Sequence, residues 1–145
     1  MMRATLLLGL SLALPAAAQQ QTPVGRWLTQ DGSGVVGVEP CGGALCGAVD
    51  GITGFQPNGD PPVDYLGRSR CHLTIIADLA PTQPGVWQGH ITNPDDGRTY
   101  TIRITFDAKG RLQMRGFIGV PLLGRTTVWT RFTGRLLPDC HVAQG

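Results

Sequence analysis

Apolar and polar residues alternate in short runs along the chain from Val24 onward, and turn residues separate these runs. The clearest run is Arg98–Phe106, where every second residue from Tyr100 is apolar and the residues between are threonines and an arginine. Asn93–Gly97 before it and Asp107–Gly110 after it are strong turn signals. The pattern predicts no helix and eight strands, which are Val24–Thr29, Val35–Glu39, Leu45–Asp50, Leu73–Leu79, Val86–Thr92, Arg98–Phe106, Arg111–Ile118 and Arg125–Phe132.

Eight sequential strands joined mostly by short turns predict an all-β fold, an eight-stranded antiparallel up-and-down barrel. Closure requires the first strand to pair with the last. On the first strand, Gly25 would permit close backbone approach and Trp27 would plug one end of the barrel. On the last strand, Trp129 and Arg131 would complete the closure, with Arg131 over the indole of Trp27. The alternative is an ordinary core tryptophan and a solvated arginine.

Composition supports this fold and leaves function open. The 21 glycines and 11 prolines, with only 15% charged residues, disfavour a long-helix bundle. The formal net charge of +2 gives no argument for a nucleic-acid partner.

The charge is unevenly spread along the chain. Val24–Asp96 has three basic and eight acidic residues, whereas Gly97–Arg135 has eight basic and one acidic. The last three strands should therefore form a basic face, with Arg103 and Arg115 near each other outside the barrel. This face could make weak contact with an anionic component of the cell envelope. The alternative is a solvated face that balances the acidic half.

The first 18 residues have the pattern of a signal peptide. A positive start is followed by the apolar run Ala4–Leu14 and by small residues that predict cleavage between Ala18 and Gln19. The apolar run is too short to span a bilayer, so no transmembrane anchor is predicted. We therefore expect residues 19–145 to form a single domain that is periplasmic or secreted.

Export affects the interpretation of the four cysteines, Cys41, Cys46, Cys71 and Cys140. In an oxidising compartment an even number of cysteines indicates disulfides, and four allow three connectivities. Cys41 and Cys46 flank a predicted hairpin turn, and a bridge there leaves Cys71 with Cys140. The alternative is a zinc site that includes the histidines. No metal is predicted, because adjacent Cys-His pairs on a strand point to opposite faces.

Longer motifs resemble the bacterial secreted family called domain of unknown function 2147, over about Pro23 to Phe132. The Gly-x-Trp opening with a late arginine also resembles the calycin superfamily, which includes lipocalins. The resemblance implies a lipocalin-like barrel in the envelope or outside the cell, and it supplies no reaction or ligand. The connection between the third and fourth strands is shorter than in many relatives. The tail Thr133–Gly145 lies outside the resemblance, which therefore does not support the Cys71–Cys140 pairing. The motifs are Gly25–Trp27, Asp31–Val36, Pro40–Gly47, Pro94–Tyr100, Gly116–Thr126 and Trp129–Arg131.

A barrel of eight strands can hold one small ligand, and the function we expect is the binding of a small apolar molecule. His90 is the candidate for a polar ligand contact or a general base, although its strand has an apolar opposite face that would turn it outward. In the long connection Ile52–Arg70, Phe55 and Tyr65 are candidate lid residues, the alternative being a surface loop. The expected apolar lining is Leu73, Ile75, Trp87, Ile91, Tyr100, Ile102 and Met114.

No catalytic residue or cofactor is predicted. After the first 18 residues, the only serines are Ser33 and Ser69, and neither lies in a G-x-S-x-G motif. The calcium-loop pattern is also absent from the sequence. Two other hypotheses stay open, namely a structural or interaction protein with a filled barrel and an envelope enzyme.

Overall fold

The computed structural model describes residues 9–13 and 21–144, so the predicted cleavage point between Ala18 and Gln19 lies outside the described residues. Turn glycines with positive φ, such as Gly85 and Gly110, separate consecutive strands where the sequence predicts turns. The strands are β1 (Gly25–Leu28), β2 (Gly34–Cys41), β3 (Ala44–Ile52), β4 (Thr74–Gln83), β5 (Val86–Thr92), β6 (Thr99–Phe106), β7 (Leu112–Phe117) and β8 (Arg125–Arg131).

The eight strands form a closed antiparallel up-and-down barrel in sequence order, which confirms the predicted fold. Closure comes from pairing of β1 with β8, in which Trp27 lies opposite Arg131 and Leu28 opposite Thr130. Trp27 is fully buried, and its indole Nε1 donates a hydrogen bond of 2.8 Å to the carbonyl of Pro23. The first and last strands therefore meet around a buried tryptophan.

Only β5 has both of its predicted boundaries, and the other strands begin or end one to four residues away from the predicted positions. Leu73 precedes β4. Strand β4 continues past Leu79 because the residues up to Gln83 still pair with β5 before the turn at Gly85. Ile118 lies outside β7. Pro121–Leu123 forms a short 3-10 helix where no helix was predicted, closed by a 3.1 Å hydrogen bond from Gly124 N to Pro121 O. A single 3-10 turn has too few residues to show a helical period in the sequence.

The C-terminal tail fills a gap where β3 and β4 diverge. The backbone N–H of Ile52 donates to the carbonyl of Cys140 at 2.8 Å, and Ile52 bridges His141 in parallel. Both predicted disulfides are confirmed. The Cα atoms are 5.6 Å apart in Cys41–Cys46 and 5.7 Å apart in Cys71–Cys140. The longer bridge attaches the tail to the barrel.

Large side chains fill the barrel where β1 begins. Trp27, Phe106 and Leu112 meet there, with the Trp27 and Phe106 ring centroids 5.9 Å apart. The buried residues of the main core are Trp27, Val36, Val38, Leu45, Ile76, Leu79, Ile102, Ile104, Leu112, Met114 and Trp129.

Within residues 9–13 and 21–144, no helix combines the length and apolar character needed to cross a membrane.

Candidate ligand-binding site

Two cavities open at the other end of the barrel, away from the filled end. The first, of about 720 Å³, lies between β5–β8 and the connection from β7 to β8. The second, of about 540 Å³, lies beneath the β1–β2 turn and the β3–β4 connection. Four residues line both cavities, Ile91, Pro94, Met114 and Thr127, so the two cavities adjoin.

Five of the eight predicted ligand-binding residues line these cavities. Ile91, Tyr100, Ile102 and Met114 line the first, while Ile75 lines the second together with Ile91 and Met114. Register explains why they come together, because Ile91 lies opposite Tyr100 in the β5–β6 pair. Alternation then places every second residue of these strands inside the barrel.

Three predicted residues lie elsewhere, which corrects their expected place. Leu73 lines neither cavity, and its carbonyl accepts a 2.9 Å hydrogen bond from Val49 N. Trp87 packs beside the β4–β5 turn, at the end where β1 begins. His90 points outward, with its side chain 52% exposed and Nδ1 3.9 Å from the Asp78 carboxylate. The apolar face of β5 is the inner one, so His90 faces solvent.

Polar groups line the rim of the first cavity and were not predicted from the sequence. Thr127 and Arg125 precede the inward-facing Trp129 on β8 by two and four residues, and both line the first cavity. This two-residue spacing from Trp129 is the signal that could have identified them. Among the described residues, no carboxylate forms an ion pair with Arg125.

The rim of the second cavity is held by hydrogen bonds within the protein. Gln30 Oε1 accepts a 2.8 Å hydrogen bond from Val128 N. Arg70 pairs with Asp95 across the mouth. Hydrogen bonds from the Ser33 backbone and from the Thr29 and Ser33 hydroxyls hold the pKa of Asp31 below its usual value. These groups are therefore occupied in shaping the mouth.

The β3–β4 connection is organised around Asp64, whose side chain is fully buried. The carboxylate accepts hydrogen bonds from Arg68 Nε at 2.8 Å and from the backbone N–H groups of Leu66 and Arg68 at 3.0 and 2.8 Å. Burial disfavours its charged form, but these hydrogen bonds and the Arg68 charge outweigh that effect and lower the pKa of Asp64. The connection is therefore an ordered loop.

The two candidate lid residues do not line either cavity. Phe55 stacks on His141 of the tail, with ring centroids 3.6 Å apart. The backbone N–H of Tyr65 donates to the Pro94 carbonyl at 2.8 Å, and its ring lies against Gly97, where a side chain would clash with it. Both aromatic residues thus attach the connection to neighbouring segments, and the lid hypothesis is wrong for them. Instead, Gly54, Pro62 and Arg70 of the segment reach the second cavity.

One cluster has the residue types of a metal site. The possible ligand atoms of Cys71, His72 and Cys140 lie within 4.8 Å of one another. The two sulfurs, however, are bonded to each other, so neither is a thiolate that could bind zinc. His72 Nε2 is 2.8 Å from the carbonyl of Pro138. The cluster therefore holds the tail in place.

Comparison with known proteins agrees with this architecture. The fold is similar to the solved structure of protein HP1028 from the human pathogen Helicobacter pylori, described as belonging to the lipocalin family. The TM-score is 0.61 at 20% identity, over 76% of this chain and 82% of that one, a likeness that shows the fold alone. No curated protein matches the chain. The family model described as "Uncharacterized protein conserved in bacteria (DUF2147)" matches residues 25–131, and the chain belongs to this family.

Proposed function

We propose that the protein is exported and binds a small, mainly apolar molecule in the cavities at the open end of its barrel. The observation that carries this proposal is the unequal filling of the barrel. Trp27 and its neighbours occupy one end, whereas cavities of about 720 and 540 Å³ adjoin at the other. Both volumes fall within the range of about 300 to 1,000 Å³ that small-molecule sites occupy.

The walls and the rim of the first cavity favour different parts of a ligand. Ile91, Ile102 and Met114 provide an apolar wall deep in the barrel. Asn93, Thr127 and Arg125 provide hydrogen-bond donors near the mouth. An elongated molecule with one polar end would bind with its apolar part inward and its polar end at the rim.

Export is supported by two independent features. The sequence before Gln19 has the charged, apolar and small-residue segments of a signal peptide. All four cysteines are paired in disulfides, which persist in oxidising compartments such as the periplasm.

Titration with the neutral fluorophore N-phenyl-1-naphthylamine tests binding at this site. We expect its emission to rise and saturate in the micromolar range with the native protein. Gly116→Phe should abolish most of this rise, because Gly116 lines the first cavity and a Cβ there meets only Ile102 Cγ2 at 4.0 Å. A phenyl ring should therefore fit into the cavity without displacing the backbone.

Gln113→Phe is the matched control. It adds the same ring to the same strand, but Gln113 lies between the buried Leu112 and Met114 and therefore faces outward. This variant should bind the fluorophore like the wild type. Equal binding by both variants, or binding only after partial unfolding, would contradict the proposal and favour a filled barrel with an interaction role.

A further inference from the structure

The connection from β7 to β8 exposes an unusual amount of apolar surface beside the mouth. Ile118, Val120, Leu122 and Leu123 fall within six positions, and 56%, 53%, 85% and 79% of their surfaces are exposed. Contiguous apolar patches of this kind mark interaction sites more often than scattered apolar residues do. We call residues 118–123 the apolar loop.

The protein holds the apolar loop in a defined shape. Arg115 on β7 donates from Nε to the Pro121 carbonyl at 2.8 Å and from Nη2 to the Leu122 carbonyl at 3.1 Å. Its Nη1 also donates to the hydroxyl of Thr126 at 2.9 Å. A Cβ at Gly124 would clash with the Gly116 carbonyl, so the loop returns to β8 through a position that requires glycine. The apolar side chains therefore project from a braced backbone.

Arginines without acidic partners surround the same corner of the barrel. Arg103 and Arg115 lie opposite each other in the β6–β7 pair. Arg125 follows the apolar loop after Gly124, and Arg98 precedes β6 at the same end of the barrel. Within the described part of the chain, none of these four arginines forms an ion pair with a carboxylate. The nearby acidic residues make other contacts, because Asp95 pairs with Arg70 and Asp96 accepts a hydrogen bond from the Arg98 backbone N–H.

We propose that the apolar loop inserts into the surface of a bilayer that contains anionic lipids, with the surrounding arginines against the lipid headgroups. Apolar side chains beside cations are the combination that holds proteins at a membrane interface. Ile118 and Leu123 also line the first cavity. Docking in this orientation would turn the cavity mouth toward the lipid, but the contact itself requires no ligand in the barrel.

Vesicle flotation tests the proposal with the mature, disulfide-bonded protein. It should float with vesicles of equal parts phosphatidylcholine and phosphatidylglycerol, and much less with phosphatidylcholine alone. Rising NaCl should release it, because salt screens the attraction between exposed charges. The variant Leu122→Ser/Leu123→Ser should bind at least about tenfold more weakly, because each leucine loses apolar burial in the lipid. No substantial change in melting temperature is expected, because both leucines are exposed.

Two further variants test whether the arginines contribute to vesicle binding and whether the apolar contribution is specific to the apolar loop. Arg98→Gln/Arg125→Gln should weaken binding by about fivefold for each arginine removed and reduce the salt dependence. Val24→Ser/Leu137→Ser, which also removes two exposed apolar side chains, should bind like the wild type. The proposal is overturned if the wild type does not float with anionic vesicles, or if the leucine variant floats equally well. It is also overturned if the loop instead mediates a dimer, seen as a wild-type dimer that the leucine variant converts to monomer.

Discussion

The guanidinium of Arg131 lies over the indole of Trp27, with Cζ 4.0 Å from the ring centroid. The two residues face each other across the β1–β8 seam that closes the barrel. Arg131 Nη1 also donates a 2.9 Å hydrogen bond to the Val24 carbonyl, and it occupies the space that a side chain at Gly25 would need. Gly25, Trp27 and Arg131 thus form one closure unit.

Trp27→Ala should destabilise the protein by about 3 to 5 kcal/mol, the usual cost of deleting a fully buried aromatic side chain. Arg131→Ala should cost less, because the cation–π contact contributes only about 0.5 to 2 kcal/mol. The double variant should be non-additive, because the two side chains are in contact. Denaturant unfolding measures all three values. A loss below about 1 kcal/mol for Trp27→Ala would contradict this account of closure.

Sequence reasoning succeeded where the signal is local or fixed by topology. Alternation with a period of two and the turn residues between runs predicted the strands, and a closed order then required the pairing of β1 with β8. It failed on position along the barrel axis. Trp87 and Ile91 share the inner face of β5, yet Trp87 packs near the filled end and Ile91 lines both cavities. Alternation identifies a face of a strand, but not the level at which each side chain lies.

The alternation of apolar and polar residues also could not predict which end of the barrel is open. The open end depends on which inward side chains are large at each level. Trp27, Phe106 and Leu112 meet at one end, whereas Gly116 and Thr127 leave space at the other. Such a comparison requires the register of all eight strands, and the observed register shifts within the β2–β3, β3–β4 and β4–β5 pairs.

The two disulfides should contribute unequally to stability. Cys71 and Cys140 are 69 residues apart, and closing a loop of that length should stabilise the fold by about 4 kcal/mol. Cys41 and Cys46 have a sequence separation of 5. Closing this short loop removes less entropy from the unfolded chain and should stabilise the fold by about 2 kcal/mol. Denaturant unfolding of Cys71→Ala/Cys140→Ala and Cys41→Ala/Cys46→Ala compares them. Equal losses would argue against a special role for the bridge to the tail.

The buried carboxylate of Asp64 should make stability depend on pH in the acid range. Its pKa is lowered in the folded protein, so its contribution is fully present above the unfolded value of about 3.9 and is lost as the pH falls through the folded value. Asp64→Asn should therefore lower the melting temperature at neutral pH, and the difference from the wild type should shrink below about pH 4. Asp60→Asn, in the same segment but exposed, is the control. The same pH profile for both variants would contradict the role assigned to Asp64.

Tryptophan fluorescence should report a bound ligand from a specific position. Trp129 lines the second cavity, whereas Trp87 lies beside the β4–β5 turn. Binding of N-phenyl-1-naphthylamine should quench protein emission in the wild type and in Trp87→Phe. Trp129→Phe should lose more of this quenching than Trp87→Phe, because Trp129 alone of these two lines a cavity at the open end. The reverse pattern would place the bound molecule at the filled end of the barrel.

The methyl group of Met114 offers the most direct test of ligand binding in the open end. The chain has 3 methionines, and Met1 and Met2 belong to the predicted signal peptide, so the mature protein should contain Met114 alone. Met114 lines both cavities. With ¹³C-methyl methionine labelling, its single NMR resonance should shift during titration with N-phenyl-1-naphthylamine and saturate at one equivalent bound. A resonance that stays unmoved while the folded protein is exposed to excess fluorophore would contradict the claim that the open end of this barrel is a binding site.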